Sequence, residues 1–182
     1  MRGIRRESDR SPEQAPPLLT EHIKNMVDAL PGDDDPPVGT EAEATWLRGN
    51  RDRALVLMGF GGAFRRSELA ALHMEHIDSR PDGLLVTVPE SKTNQEGGGQ
   101  LVAIRRIEDS EYCPVSALRR WIDVAQVEEG PIFWGMPRSG YISRNAIAGR
   151  TVGNAVKRAA EAAGLPQAKS YTGHSLRAGH IT

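Results

Sequence analysis

The sequence has little cysteine, no long hydrophobic run and no excess of positive charge, and each shortage excludes a class of protein. The single cysteine, Cys113, excludes an internal disulfide framework and any metal site built from several cysteines. No apolar run approaches the ~18 residues that a membrane span needs, and the basic N-terminus leads into acidic residues instead of a hydrophobic signal core. We therefore expect a soluble, cytoplasmic protein without a membrane partner.

The net charge of −1 argues against a domain that binds nucleic acid on its own, because such domains are usually basic. The acidic residues are local, however. The segment 33–35 and the residues Glu41, Glu43, Glu128 and Glu129 all fall in expected loops or helix ends. They lie away from the two arginine-containing stretches considered below, so a local basic site remains compatible with the composition.

The 182 residues suit one domain, and about 70% of the unfolded surface could be buried at this size. Residues 1–17 contain three prolines and no hydrophobic periodicity, which predicts a linker. Residues 18–182 would then form the folded domain. No internal repeat interrupts it.

Hydrophobic periodicity predicts a mainly helical α+β fold with a small antiparallel sheet. Helices are expected at 20–30, from 40, at 67–77, from 114, at 147–163 and from 172–173, with 54–60 as the central buried helix. Two β-type runs, 84–88 and 101–104, predict a hairpin with a mobile tip. Cys113 is expected to be a small buried residue where the fourth helix begins.

Two basic stretches organise the chain, one at 61–69 and the other at 173–179. The helical pattern places Arg65 at a helix N-terminus, where free N–H groups favour an anion. His174 and Arg177 are three residues apart and share one helix face. We expect these residues to surround one phosphate, with Lys92 reaching in from the hairpin.

Each of these residues also has a plainer interpretation. Arg65 could be a surface arginine, and Arg66 beside it could be the ligand instead. Lys92 could be a solvated turn lysine. Glu68 could orient an arginine, although a structural role as first-turn helix charge is favoured.

Other candidate residues are expected to be structural. His73 and His76 are three apart, but no carboxylate or cysteine completes a metal site at ligand spacing. The tryptophans Trp46, Trp121 and Trp134 are expected in the core or at its edge, and not on a base-stacking platform.

The order of the motifs is more specific than any one of them. Gly-x-x-Arg-x-Ser-Glu-Leu, then Ser-Lys-Thr-Asn-Gln-Glu-Gly, then Gly-His-Ser-Leu-Arg-Ala-Gly resembles the catalytic domain of the tyrosine recombinases, the phage integrase family. The resemblance covers about residues 18–182. It implies the fold of that domain, a DNA breaking-and-rejoining activity, double-stranded DNA as partner and, as in the family, other recombinase protomers in a synaptic complex.

The resemblance also implies roles for individual residues. Arg65 matches the first catalytic arginine, Lys92 the hairpin lysine, and His174 with Arg177 the His-x-x-Arg pair. Two arginine forks would hold the oxygens of the scissile phosphate, so neither a metal nor another cofactor is expected.

The chain departs from the family after Arg177, because only five residues follow it and none is a tyrosine. Tyr112, Tyr141 and Tyr171 occupy other positions, and we predict that none of them cleaves DNA. The family also has an N-terminal DNA-binding domain. A catalytic core without that domain and without its tyrosine segment is therefore expected, inactive in cleavage. There are two alternatives. One is a non-catalytic DNA-binding or decoy module, and the other is a helical interaction domain with Arg65 and Arg177 far apart.

Overall fold

The computed structural model describes residues 15–31, 35–37, 39–89, 99–136 and 143–181. Within these ranges the chain forms six α-helices, two short 3-10 helices and two small antiparallel sheets. The predicted class, α+β and mainly helical, is confirmed. No helix in the described ranges combines the length and the hydropathy that crossing a bilayer requires.

Five of the helices begin within two residues of the positions that the sequence predicts and extend over at least nine residues. The six bounds are α1 Thr20–Asp28, α2 Thr40–Gly61, α3 Arg66–Ala70, α4 Pro114–Ala125, α5 Gly149–Ala162 and α6 Gly173–Ile181. Cys113 is fully buried at the start of α4, and its Sγ accepts a hydrogen bond from the Ile107 N–H at 3.3 Å. The structural interpretation of this cysteine is confirmed.

The first sheet contains β1 Ile77–Arg80, β2 Gly83–Val88 and β3 Gln100–Arg105, in that spatial order. β2 and β3 form the predicted hairpin, and its tip at 90–98 lies outside the described residues. The second sheet pairs β4 Trp134–Gly135 with β5 Ser143–Ala146. Both sheets are small, so the helices supply most of the core.

The helix predicted at 67–77 is wrong beyond Ala70. Leu72 accepts a hydrogen bond from the Ile132 N–H at 2.9 Å, and the Met74 N–H donates to Gly130 at 2.9 Å. Ile77 begins β1, opposite Val86 of β2. Backbone pairing with the distant segment 130–132 and with the following strand β2 therefore overrides a helical spacing of apolar residues, which by itself cannot separate short helices from strands.

α2 is the central helix, because it packs against α1, α4, α5 and α6. Its residues 54–58 are at most 3% exposed, which confirms the predicted buried segment. The helix runs through Gly49 without a break, and a Cβ at that position would lie 2.3 Å from Pro31 Cδ. A glycine is therefore needed where the segment after α1 crosses α2.

Four consecutive polar residues of α2, Asn50 to Arg53, are also buried. Asp52 accepts hydrogen bonds from Arg51 Nη2 at 2.9 Å and from Arg158 Nη2 of α5 at 2.7 Å. Arg51 Nη1 donates to the Trp134 carbonyl at 2.8 Å. Burial lowers the pKa of Arg51, and the carboxylate of Asp52 opposes that shift. This network ties α2 to α5 and to β4.

The segment before α1 packs directly on α6. Leu18 is fully buried, and its N–H donates to the Ser175 carbonyl at 3.0 Å. A Cβ on Gly179 would lie 1.8 Å from the Leu18 carbonyl oxygen, so only glycine permits this approach. The predicted domain start at residue 18 stays a prediction, and Leu18 itself belongs to the core.

Candidate functional site

The turn between α2 and α3 presents Arg65. Arg65 is the residue that caps α3, as the sequence predicts, and its N–H donates to Glu68 Oε2 at 2.7 Å. Its Nη1 also donates to Glu68 Oε1 at 2.5 Å. The Arg65 side chain is 55% exposed, whereas Glu68 is 9% exposed. The nearly buried carboxylate of Glu68 thus binds both the backbone N–H and the guanidinium group of Arg65, whose side chain faces solvent.

The sequence analysis considered two roles for Glu68, namely to orient an arginine or to serve as a first-turn helix charge. The structure shows the first, because Glu68 holds the side chain of Arg65. The same carboxylate closes the first turn of α3 through the Arg65 N–H, so the structural role is present as well. α3 has only five residues, so its N-terminus does not by itself form an anion site.

The N-terminus of α6 presents His174 and Arg177. Thr172 caps this helix: its Oγ1 accepts a hydrogen bond from the His174 N–H at 3.2 Å, and its own N–H donates to Ser175 Oγ at 3.1 Å. Ser175 is fully buried, so the cap is fixed from below. His174 remains exposed at the helix start.

Arg177 connects α6 to the turn that carries Arg65. Its Nη1 donates to the Ala63 carbonyl at 3.3 Å, a contact across 114 residues of sequence. Ala63 has a φ of 48°, in the left-handed region that non-glycine residues rarely adopt. The unusual backbone at Ala63 directs a carbonyl towards Arg177.

These residues line one open pocket of about 360 Å³. Its lining consists of seven residues from the starts of α3 and α6, none of them acidic: Arg65, Arg66, Ser67, Thr172, Gly173, His174 and Arg177. We call it the arginine pocket. The sequence predicted that Arg65, His174 and Arg177 would meet, and all three contribute to this lining. The alternative interpretation, a helical interaction domain with incidental arginines, predicted instead that Arg65 and Arg177 would lie far apart, whereas both line this pocket.

The hairpin lysine and the three tyrosines considered in the sequence analysis are not among the described residues that line the arginine pocket. Lys92 and Tyr141 lie outside the described residues. Tyr171 is 5% exposed and Tyr112 is half-buried in a separate apolar groove, so neither lines the arginine pocket. A hydrogen bond to Asp28 raises the pKa of the Tyr112 phenol, which disfavours its nucleophilic phenolate.

The three tryptophans lie in the core or at its edge, as the sequence predicts. Trp46, Trp121 and Trp134 are at most 8% exposed. His76 Nδ1 accepts a hydrogen bond from the His73 N–H at 3.0 Å, which closes a turn. No group of three or more potential metal ligands occurs in the described part of the chain.

Sequence reasoning missed the buried Asn50–Arg53 run and the contact between Ala63 and Arg177. A signal for the first was present, because Leu47, Arg51, Leu55 and Met58 share one helix face at i, i+4, i+8 and i+11 spacing. No local signal could reveal the second, since its two residues belong to segments joined only by the fold.

Comparison with known proteins gives matches over most of the chain. The phage integrase family pattern matches residues 42–182. An integrase/recombinase xerD homolog from Selenomonas ruminantium is 35% identical over 182 residues, which is 100% of this chain and 50% of that protein. The chain therefore spans about half the length of the curated relative that it matches.

The fold of this chain is similar to the folds of several solved structures. The crystal structure of XerA recombinase matches with a TM-score of 0.60 at 17% identity, over 93% of this chain and 49% of that chain. XerH recombinase, in a post-cleavage complex with its palindromic difH substrate, matches with a TM-score of 0.60 at 15% identity, over 91% of this chain and 41% of that chain. At these identities the likeness concerns the fold alone.

Proposed function

Because this chain belongs to the phage integrase family, the tyrosine recombinases, we propose that it acts in site-specific DNA recombination or integration, and that its arginine pocket holds the phosphate at which a strand is cut. The partner is double-stranded DNA, joined during recombination by other recombinase protomers. Residues 18–182 are the part of the protein that carries this function.

One observation carries the proposal: Arg65, His174 and Arg177 line the same pocket although they come from distant parts of the chain. Two arginines on one open, acid-free lining are suited to an anion with several oxygens. A guanidinium stays protonated at any physiological pH, so the pocket keeps its charge under all conditions of the cell. A phosphodiester matches both the geometry and the charge.

The chemistry assigned to the pocket is stabilisation of negative charge during phosphoryl transfer. A tyrosine oxygen bonds to phosphorus while the bond from phosphorus to the 5′ oxygen breaks, which gives a 3′-phosphotyrosine and a 5′ hydroxyl. Arg65 and Arg177 bind the non-bridging oxygens, where charge increases in the transition state. Glu68 and the Ala63 carbonyl hold these two guanidinium groups in advance.

His174 and Lys92 have proton-handling roles in this proposal. The exposed imidazole of His174, at the pocket lining, donates a hydrogen bond to a phosphate oxygen and accepts or gives a proton during the reaction. Lys92 gives a proton to the departing 5′ oxygen, a role that suits a flexible ammonium group on a hairpin. Neither step uses a metal.

Strand cleavage needs a nucleophile, and no tyrosine among the described residues lines the pocket. Tyr171 is buried. Tyr112 lies in a different groove, and a hydrogen bond to Asp28 raises the pKa of its phenol. We therefore propose that a polypeptide of these 182 residues binds DNA without cutting it. A DNA-binding module that does not cleave is the second candidate function, favoured by the same absence of a tyrosine from the described pocket lining.

Binding to a labelled DNA duplex, measured by anisotropy over a series of salt concentrations, tests the phosphate site. Arg65→Gln and Arg177→Gln should each weaken binding about tenfold or more, the scale of a charge-assisted hydrogen bond. Because both arginines bind one phosphate, only the double variant should make the negative slope of log K against log[salt] shallower, by about 0.9. The control is Arg119→Gln, an exposed arginine of α4 outside the pocket. Unchanged binding in both single variants contradicts the proposal.

Cleavage is tested separately with nicked suicide duplexes followed by denaturing gels. The 182-residue chain should form no covalent band with DNA. A band that disappears in Tyr171→Phe or Tyr112→Phe would identify a nucleophile within this chain and would overturn the second part of the proposal.

A further inference from the structure

Among the described residues, Arg66 is the one arginine of the arginine pocket without a hydrogen-bond or ion-pair partner. Arg65 is bonded to Glu68, and Arg177 is bonded to the Ala63 carbonyl. Arg66 is exposed, and within the described residues its guanidinium has no hydrogen-bond or ion-pair partner. Its charge is therefore uncompensated at the edge of a pocket that already holds two bound arginines.

The stem of Arg66 is nevertheless fixed. A Cβ on Gly173, the first residue of α6, would lie 2.9 Å from Arg66 Cβ, and a Cβ on Gly149, the first residue of α5, would lie 3.4 Å from Arg66 Cγ. Two helix starts thus close on the first two carbons of this side chain. An exposed arginine normally samples many rotamers, whereas here only the outer part of the side chain can move.

A fixed stem with a free guanidinium differs from an ordinary surface arginine. Binding an anion requires an arginine to lose rotamer freedom, and a stem that is already held loses less. The charge is also fully available, because no carboxylate must first be displaced. Both features favour a ligand that approaches the pocket from solvent.

Together these features lead us to infer that Arg66 binds a second DNA phosphate, next to the one held by Arg65 and Arg177. This inference rests on the proposed function. Glu68 and the Ala63 carbonyl already hold the guanidinium groups of Arg65 and Arg177 at the first phosphate, whereas no described residue holds the guanidinium of Arg66. Because every phosphate along a DNA strand carries a negative charge, the neighbouring phosphate is the anion available to Arg66. Arg66 sets the register of the strand without entering the chemistry at the cut phosphate.

Arg66→Gln separates charge from packing. Glutamine keeps the Cβ and Cγ atoms that Gly149 and Gly173 face, so the helix starts should stay in place. If Arg66 neutralises a phosphate of its own, this single variant should make the negative slope of log K against log[salt] shallower by about 0.9 and weaken binding about tenfold. Arg66→Lys should retain the slope. Arg119→Gln should change neither quantity.

The outcomes differ between this inference and the proposed function. Weaker binding of Arg66→Gln with an unchanged slope would mean that Arg66 shares the phosphate of Arg65 and Arg177, and would overturn the inference. Unchanged affinity and slope would do the same, since Arg66 would then be a packing residue only. If Arg65→Gln and Arg177→Gln also bind as the unaltered chain does, the proposed function fails as well. Thermal unfolding of each variant confirms that the fold is retained.

Discussion

Arg177 and Ala63 are joined by a hydrogen bond of 3.3 Å between Nη1 and a backbone carbonyl. The bond links α6 to the turn before Arg65, so it positions the two arginines proposed to bind phosphate relative to each other. Because Ala63 provides a carbonyl, the contact does not depend on its side chain. The local backbone at Ala63, with its φ of 48°, decides where that carbonyl points.

Ala63→Gly should therefore leave the site intact and remove backbone strain. Glycine adopts positive φ at no steric cost, although it also gains freedom in the unfolded chain. We expect the free energy of unfolding to rise by less than about 1 kcal/mol. The control is Ala44→Gly inside α2, which should lower it by about 1 kcal/mol. Equal losses in the two variants, measured in denaturant, would contradict the prediction.

Glu68→Ala should destabilise the chain and release Arg65. The carboxylate accepts hydrogen bonds from both the backbone and the side chain of Arg65, and it is 9% exposed. Loss of the cap and of the ion pair should lower the free energy of unfolding by about 1–2 kcal/mol. Glu68→Gln keeps an acceptor for the Arg65 N–H and should recover part of this loss. Glu75→Ala, which changes an exposed carboxylate, should have little effect.

Asp52→Ala should be among the most destabilising single changes in the chain. Asp52 and Arg51 are each 2% exposed, and removal of the carboxylate leaves a buried guanidinium without its counter-ion. Breaking a buried pair in this way costs about 3–5 kcal/mol. The matched control is Asp78→Ala, because Asp78 pairs with Arg80 at the surface, where an ion pair contributes about 0–1 kcal/mol. Similar unfolding midpoints for the two variants would refute the role assigned to Asp52.

Gly179→Ala and Gly153→Ala should change stability in opposite directions. The added methyl group at Gly179 would lie 1.8 Å from the Leu18 carbonyl oxygen and must push that segment off α6. At Gly153, inside α5, nothing lies within 4 Å of the added group. The second variant should gain about 0.5–1 kcal/mol of helix propensity, while the first should unfold at lower denaturant concentration. Proteolysis near Leu18 should also increase in the first variant alone.

Much of the site could be predicted from sequence because motif order carries it. Arg65, His174 and Arg177 were expected to meet on the strength of three short motifs in a fixed order, and they line one pocket. The helices α4, α5 and α6 were predictable from their own residues, through Pro114 at a start, Gly164 after an end and the cap at Thr172. Such signals are local, so the sequence displays them directly.

The elements that sequence analysis missed depend on partners that helical periodicity does not reveal. β1 forms because Ile77 to Arg80 pair with the following strand β2, and Leu72 is held by the distant segment before β4. The polar residues of α2 are buried because Arg158 and the Trp134 carbonyl satisfy them. Periodicity measures apolar spacing alone, and it assigns a charged residue to the surface unless the partner that satisfies it is already known.

The packing of Leu18 on α6 has a mechanical consequence. The N–H of Leu18 donates a hydrogen bond to the Ser175 carbonyl, and the Leu18 carbonyl packs against Gly179. Both groups therefore contact α6, the helix that carries His174 and Arg177. The entry segment and the pocket therefore share one helix, and a change in the position of Leu18 acts on the element that carries His174 and Arg177.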